Sequence, residues 1–442
     1  MELTNWSGSL RFSPGQILYP ETEQELISLI LNATRSGQNL RVLGSRHSFS
    51  ELIATSGISL SLDHYQGILS VDPEKMESVI KSGMKLNFLS QNLLKHGLMM
   101  ENLGDIDVQS LAGSISTGTH GTGIKFGVLA TQVNEITLIT ADGESLVCSE
   151  SQDRDLFKAA LVSLGTLGVI SQIKLRLVPA YRLKLVQKIE NLKECLSNLD
   201  QRLNENRNFE FFFFPYTDVV QTKSLNVTDE PADKFSINHY LNDLILENGA
   251  LKILCEICRI FPNTAETINK ICGWGLSDLT KVNWAHKVFT TPRHVKFNEM
   301  EYNIPREKFK DALQEVIEVI EKKKFAVCFP LECRFVKADD IWMSPAYKRD
   351  SAYIAAHMYK GMDYQKYFDT LESIFKNNQG RPHWGKMHTQ TAADLSKTYP
   401  MWEQFEKLRL RLDPKGVFMS PYLKKLLSLD SGRAARSGSK AA

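Results

Sequence analysis

The 442-residue chain reads as an α+β protein of two domains. Short strands and helices mix over the first 180 residues without a repeated βαβ rhythm. Composition then shifts, from Pro179 into the charged, Asn-rich stretch Glu190 to Asn208. Beyond that stretch lie enough apolar runs for a second core, in keeping with a length prior of roughly 100–200 residues per domain. The expected domains are 1–180, with 405–425 returning to it, and 181–404.

Each element has a local cause. Thr22-Glu23-Gln24-Glu25 has capping-box spacing, and Leu26, Ile27, Ile30, Leu31 and Ala33 form one helix face that ends at Gly37. Asn39 to Leu43 follows as a strand, and Ile58 to Leu62 alternates as another. Val79 to Ser82 reads as strand and Lys85 to His96 as a helix closing at Gly97. Ile136 to Thr140 and Ser145 to Cys148 flank Asp142-Gly143, a hairpin signal. Asp155 to Leu164 is helical and Val169 to Leu177 alternates as a strand. In the second half, Phe209 to Pro215 reads as a buried strand and Leu331 to Val336 as another. Pro305 to Glu321 is an amphipathic helix with Phe309, Leu313, Val316, Ile317 and Ile320 inward, and Tyr364 to Phe375 is a further helix. Ser428 to Ala442 lacks apolar periodicity and is expected to be a disordered tail.

Composition excludes several classes. With 53 basic and 51 acidic residues the net charge is +2, so no polyanion is demanded, and nucleic acid is not an expected partner. Lys322 to Lys324 is a solvated helix end. Seven cysteines form an odd, sparse set that suits a reducing compartment, and Cys255-Glu256-Ile257-Cys258 reads as helical core spacing before zinc. No secretory signal and no apolar run of roughly 18–20 residues is visible, and the Asn5, Asn32 and Asn226 sequons carry no weight, so the expectation is a cytoplasmic protein without a membrane span.

The run Arg41 to Ser50 is a glycine-containing loop after a short strand, where backbone N–H groups can approach a pyrophosphate and His47 can act as base, ligand or nucleophile. No Gly-x-Gly-x-x-Gly turn leads into a helix here, which excludes a nicotinamide-type Rossmann unit. Gly113 to Gly123 holds four glycines among Ser and Thr, a phosphate cradle or a surface loop. Glu332 and Arg334 share one strand face, as ion-pair partners or as site residues. His383 and His388 have no further ligands at a recognisable spacing, so no metal is expected.

Eight motifs follow one another over nearly the whole chain: Asn5 to Gly8, Gly44-Ser45-Arg46-His47-Ser48, Ser116 to Gly123, Ser163 to Ile170, Phe211 to Asp218, Glu332 to Phe335, Arg381 to Lys386, and Leu412 to Gly416. In this set and order the chain resembles the vanillyl-alcohol-oxidase-type FAD proteins, in the branch of the aldonolactone (gulonolactone and arabinonolactone) oxidases and the alditol oxidases. The resemblance implies an FAD-binding domain and an α/β substrate cap, with Leu412 to Tyr422 returning to the first domain. It assigns to the cofactor Arg41, Val42, Gly44, Ser45, Arg46, His47 and Ser48, then Ala112, Gly113, Ser116, Thr117, Gly118, Thr119, His120, Gly121 and Gly123, with Gly168, Val169 and Ile170 closing the far side and His383 and Lys386 beside the ring. His47 is the implied covalent flavin attachment, and Arg46 stands where glycine is commoner.

The same resemblance implies chemistry. Glu332 would accept a hydrogen bond from the hydroxyl being oxidised, Arg334 and Lys386 would stabilise reduced flavin, and His357 would lie on the substrate side. Gly104 leaves open an oxygen path that alanine obstructs in related dehydrogenases. Asp105 departs from the small or hydroxyl residue expected near the substrate. The implied activity is oxidation of a sugar-1,4-lactone by hydride transfer to flavin N5, with oxygen reduced to hydrogen peroxide. Trp342 to Tyr347 and His357 fit the alternative, alditol (polyol) oxidation at a terminal hydroxyl. A catalytically inactive flavin- or carbohydrate-binding protein is the remaining alternative, against which the intact Glu332, Arg334 and Lys386 set speaks.

Overall fold

The computed structural model of the chain describes residues 1–234 and 248–428. The expected disordered tail therefore lies, apart from Ser428, outside the described residues.

The first helix, Glu23–Ser36, begins at the expected capping box, with the Glu25 N–H donating to the Thr22 side chain, and stops at Gly37 with φ 67°. It buries Leu26, Ile30 and Ala33 in a core shared with a parallel three-stranded sheet, Gln16–Leu18, Ile58–Ser61 and Leu40–Leu43. A five-stranded antiparallel sheet completes the first domain, in the order Ser145–Ser149, Val133–Ile139, Val169–Arg176, Glu77–Lys81, Ile68–Asp72. The Asp142-Gly143 hairpin joins its first two strands, and Gly143 takes φ 80° there. Helices Leu86–Lys95 and Arg154–Leu161 pack against this sheet, each within a few residues of the ends that periodicity predicts.

The polar stretch after Glu190 is part of the second domain's packing. Glu190 and Asn191 end the strand Arg182–Asn191, and helices Leu192–Ser197 and Leu199–Glu205 follow. Cys195, Leu199 and Leu203 anchor them in the second core, so the surface polarity that resembles a linker is the solvated side of two short helices. Cys255 and Cys258, on the helix Asn248–Ile260, are buried in a smaller apolar cluster.

The second domain is built on an eight-stranded sheet in which every pairing is antiparallel. Its order is Leu279–Trp284, Arg182–Asn191, Val219–Thr228, Asn208–Phe213, Leu331–Val336, Ser351–Tyr359, Phe297–Pro305, Arg381–Pro382. The cap expected as α/β thus carries its helices, Phe309–Lys323 and Gln365–Asn377, in the core on one face and does not alternate them with parallel strands. Side-chain alternation sorts the central strands. Phe209, Phe211, Phe213, Met300, Tyr302, Ile304, Leu331, Cys333, Phe335, Ile354, Ala356 and Met358 enter the core shared with those helices. The intervening Glu210, Glu299, Glu301, Glu332, Arg334 and His357 take the opposite face, and all six are buried.

The first domain meets this sheet at Thr122 and Gly123. Gly123 N–H donates to Phe335 O at 2.6 Å, Phe335 N–H to Thr122 Oγ1 at 3.2 Å, and Thr122 Oγ1 to Phe209 O at 2.5 Å. The C-terminal segment packs back into the first core from Trp384 and Leu395 onward, before the expected Phe405, and continues to Leu427. Among the described residues no helix is long and apolar enough to cross a membrane.

Candidate active site

The loop after Leu40–Leu43 borders a half-open groove. Arg41, Val42, Gly44, Ser45, Arg46, His47 and Ser48 line one wall, Ala112, Gly113, Ser116 and Thr117 another, and Gly168 and Ile170 a third. A Cβ on Gly44 would stand 2.4 Å from Ser110 Oγ, so the two walls approach as closely as they do because residue 44 has no side chain. Arg46 takes φ 55°, the left-handed conformation that glycine adopts without strain. Four of the five N–H donors of the Arg41 guanidinium are used, on the carbonyls of Leu52, Leu164, Gly165 and Phe418, and burial lowers its pKa to about 10. Arg41 therefore ties three segments together while its main chain faces the groove.

Several residues assigned to the cofactor are not among those that line this groove. Gly118, Thr119, His120, Gly121 and Gly123 are not in the groove wall. A Cβ on Gly121 would meet Leu103 O at 2.1 Å, and Gly123 pairs with the second sheet, so these glycines serve backbone contact at the domain junction. Val169 packs into the core beside the first helix, because strand alternation turns it away from the side that Gly168 and Ile170 present. Gly104, His383 and Lys386 also lie outside the groove wall, on segments that meet the polar sheet face.

At the His47 end the groove adjoins that face. Phe49 N–H donates to Gly385 O at 2.7 Å and Ser50 Oγ to Trp384 O at 3.1 Å, which brings Lys386 over the Phe49 ring at 5.2 Å. His47 lies against Trp6, ring centroids 5.9 Å apart, and its Nδ1 is 3.0 Å from Ser45 O. A carbonyl only accepts, so Nδ1 carries the proton and Nε2 keeps its lone pair. Burial is the main cause that lowers the His47 pKa, with Lys386, Lys85 and Arg46 adding to it, so the ring is neutral at pH 7.

The polar face is a network of paired charges. Arg334 Nη2 contacts Glu332 Oε1, and Arg334 Nε donates to Glu210 Oε2 at 3.0 Å. Burial opposes the Arg334 charge, but Glu332, Glu210 and Glu301 outweigh it and raise its pKa. Lys386 Nζ is 2.5 Å from Glu299 Oε2, and His357 Nε2 is 3.6 Å from Glu299 Oε1. Burial likewise opposes ionisation of Glu299, yet Lys386 and His357 hold its carboxyl at about 2. His120 Nε2 lies 3.2 Å from Glu301 Oε1. Asp105 contacts Arg293 and lies 3.6 Å from Arg334 Nη2.

The same architecture recurs in known proteins. A D-arabinono-1,4-lactone oxidase family model matches residues 173–426, and an FAD binding domain model matches residues 14–149. The chain is 40% identical to an L-gulono-1,4-lactone dehydrogenase of Mycobacterium tuberculosis over 424 residues, covering 96% of this chain and 98% of that one. The chain belongs to the D-arabinono-1,4-lactone oxidase family. Other relatives are the L-gulonolactone oxidase of Bos taurus, 36% identical, and an alditol oxidase of a Streptomyces species, 28% identical, covering 96% of this chain and 98% and 99% of theirs. A crystal structure of cholesterol oxidase from B. sterolicum superposes with a TM-score of 0.81 at 16% identity, over 96% of each chain, a likeness of fold alone.

FAD fits this family member's groove. Small residues line two of its walls, a composition that lets main-chain N–H groups approach a pyrophosphate. Ser110, Gln109, Leu164 and Gly165 also line it. Motif reading does not reach Glu210, Glu299, Glu301 or Arg293. For the first three a signal existed: Glu210 stands among phenylalanines, and Glu299 and Glu301 are two apart in a strand and so share one face. His383 has partners that spacing could not reveal: ligand atoms of His120, Glu301 and His383 all lie within 4.8 Å of one another, as do those of Glu299, Glu332 and His357. Both groups contain the ion pairs already described.

Proposed function

We propose that this FAD-dependent oxidoreductase oxidises a hydroxyl carbon of a sugar-1,4-lactone, with oxygen as the terminal acceptor and hydrogen peroxide as product. The observation that carries the reading is the meeting of the groove, at His47, with a buried face bearing Glu332, Arg334, Glu299 and Lys386. FAD, when bound, would supply the two-electron acceptor for the hydride. Glu332 is buried and touches Arg334 through Oε1, and its carboxylate keeps lone pairs with which to accept from the substrate hydroxyl and orient its carbon. Arg334 fixes that carboxylate. Lys386 and Arg334 place positive charge where negative charge grows during reduction. His357 stands between two acceptors, with Nδ1 3.2 Å from Pro330 O and Nε2 3.6 Å from Glu299 Oε1.

We further infer that His47 carries FAD covalently through Nε2, the atom left with a lone pair. The relatives support a lactone over an alditol, because the lactone enzymes are 40% and 36% identical and the alditol oxidase 28%. Steady-state rates on a panel of 1,4-lactones and alditols, with oxygen and cytochrome c compared as acceptors, test the reading. Turnover of alditols alone would overturn the lactone assignment, and turnover with cytochrome c alone would overturn the oxidase assignment.

A further inference from the structure

Arg293 lies between the helix Ala285–Phe289 and the strand Phe297–Pro305. Its Nη2 contacts Asp105 Oδ2. The same segment is tied to the Asp105 loop twice more: Thr291 N–H donates to Asp105 O at 3.1 Å, and Thr290 Oγ1 to Asp107 Oδ2 at 3.3 Å. Asp105 Oδ2 is 3.6 Å from Arg334 Nη2, which in turn touches Glu332. A line of alternating charge thus runs Arg293, Asp105, Arg334, Glu332 into the site.

The two ends of the Asp105–Arg293 pair differ in what they have left to offer. Asp105 turns Oδ2 toward two guanidinium groups, touching Arg293 Nη2 and lying 3.6 Å from Arg334 Nη2. Arg293 makes no other contact of this kind among the described residues, so most of its five N–H donors remain available. Burial lowers the Arg293 pKa, and the charges acting on it are those of Glu332, Arg334 and Glu299, the groups of the site itself. This corner therefore offers guanidinium donors beside the ionised groups of the site.

We propose that Arg293 is a specificity-determining residue that donates to the carbonyl oxygen of the lactone, an inference that rests on the lactone reading above. A lactone carbonyl only accepts, and its in-plane lone pairs suit a planar guanidinium. A polyol hydroxyl at the same place also presents a proton, which a guanidinium cannot accept. The open-chain aldonate is an acceptor too, but it brings a negative charge beside Asp105, Glu210, Glu299 and Glu332. The corner thus selects the neutral ring.

The test uses flavin-loaded wild type, Arg293→Ala and Arg293→Lys, with kcat/KM measured for one hexono-1,4-lactone and for the alditol of the same configuration. Losing a charged hydrogen bond to the carbonyl is expected to lower the lactone-to-alditol ratio about 10–100-fold in Arg293→Ala, mainly through KM, with partial recovery in Arg293→Lys. γ-Butyrolactone, which has the carbonyl and no hydroxyl, is expected to inhibit wild type competitively and to lose that inhibition in Arg293→Ala. An unchanged ratio, or equal inhibition of both proteins by γ-butyrolactone, overturns the proposal and leaves Arg293 as a support for Asp105. Inhibition of wild type by the aldonate as strong as by the lactone overturns it as well. If Arg293→Ala loses its flavin, the ratio in Arg293→Lys decides. A wild type that oxidises alditols and no lactone sinks the underlying reading, a result distinct from an unchanged ratio in an enzyme that does oxidise lactones.

Discussion

Lys386 Nζ and Glu299 Oε2 stand 2.5 Å apart on a buried face, with Glu301 two residues along the same strand. The ammonium compensates a carboxylate withdrawn from water, and in the proposed reaction it also supports reduced flavin. Lys386→Met is expected to slow anaerobic flavin reduction by roughly 10²-fold or more. It also strands Glu299, a loss on the order of 3–5 kcal/mol. The double variant Lys386→Met, Glu299→Gln is expected to recover most of the stability and none of the rate. Stopped-flow reduction and thermal melts read the two separately, and recovery of rate in the double variant would rule out the electrostatic role.

His47 is expected to retain flavin through acid precipitation. A yellow pellet from trichloroacetic acid, and a flavinylated peptide containing His47 after digestion, are the outcomes anticipated. His47→Ala should release its flavin under acid while still binding it at neutral pH, since the groove walls do not depend on the imidazole. A colourless wild-type pellet would rule out the linkage and leave the fold untouched.

Gly104→Ala is expected to slow reoxidation by oxygen while sparing the reductive half-reaction. The added methyl would stand 3.0 Å from His120 O and 3.4 Å from Thr119 Cγ2, so the loop carrying His120 must yield by a few tenths of an ångström. Flavin content is therefore measured beside the two half-reactions. Equal oxygen reactivity with full flavin content would place the oxygen path elsewhere.

His383 gives a pH dependence whose sign is fixed by its environment. Burial lowers its pKa from 6.5 to about 3, and its Nδ1 accepts from Gly385 N–H at 3.0 Å, which a protonated nitrogen could not do. Between those values the unfolded chain binds a proton that the native ring refuses, so stability falls as pH drops from 6.5 toward 3. The contribution is complete above 6.5, and the slope from this group is about 1.4 kcal/mol per pH unit inside the window. Urea unfolding of wild type and His383→Gln between pH 4 and 7 measures it; identical slopes would contradict the assignment.

Local signals made part of the molecule legible. The helix Glu23–Ser36 was readable because its cap, its apolar face and its terminal glycine lie within sixteen residues of one another. Glu332 and Arg334 were readable as a pair because strand period alone sets them on one side. The same rule, applied to Gly168-Val169-Ile170, would have separated Val169 from its neighbours. Glu210 was hidden by the phenylalanines around it, and its pairing with Arg334 joins residues 124 apart in sequence. Arg293 carried no motif, and its meaning comes wholly from Asp105, which reaches it across the domain junction.

The alternation of the eight-stranded sheet separates what the domain is made of from what it acts on. Positions 210, 299, 301, 332, 334 and 357 can be varied together while Phe211, Met300, Cys333 and Ala356 keep the helix-facing core unchanged. A combinatorial library confined to those six codons would search new substrates on a scaffold whose apolar packing it never touches. Within that library the survivors should be the variants that keep the summed formal charge of the face, because each carboxylate or cation there is already balanced by a neighbour.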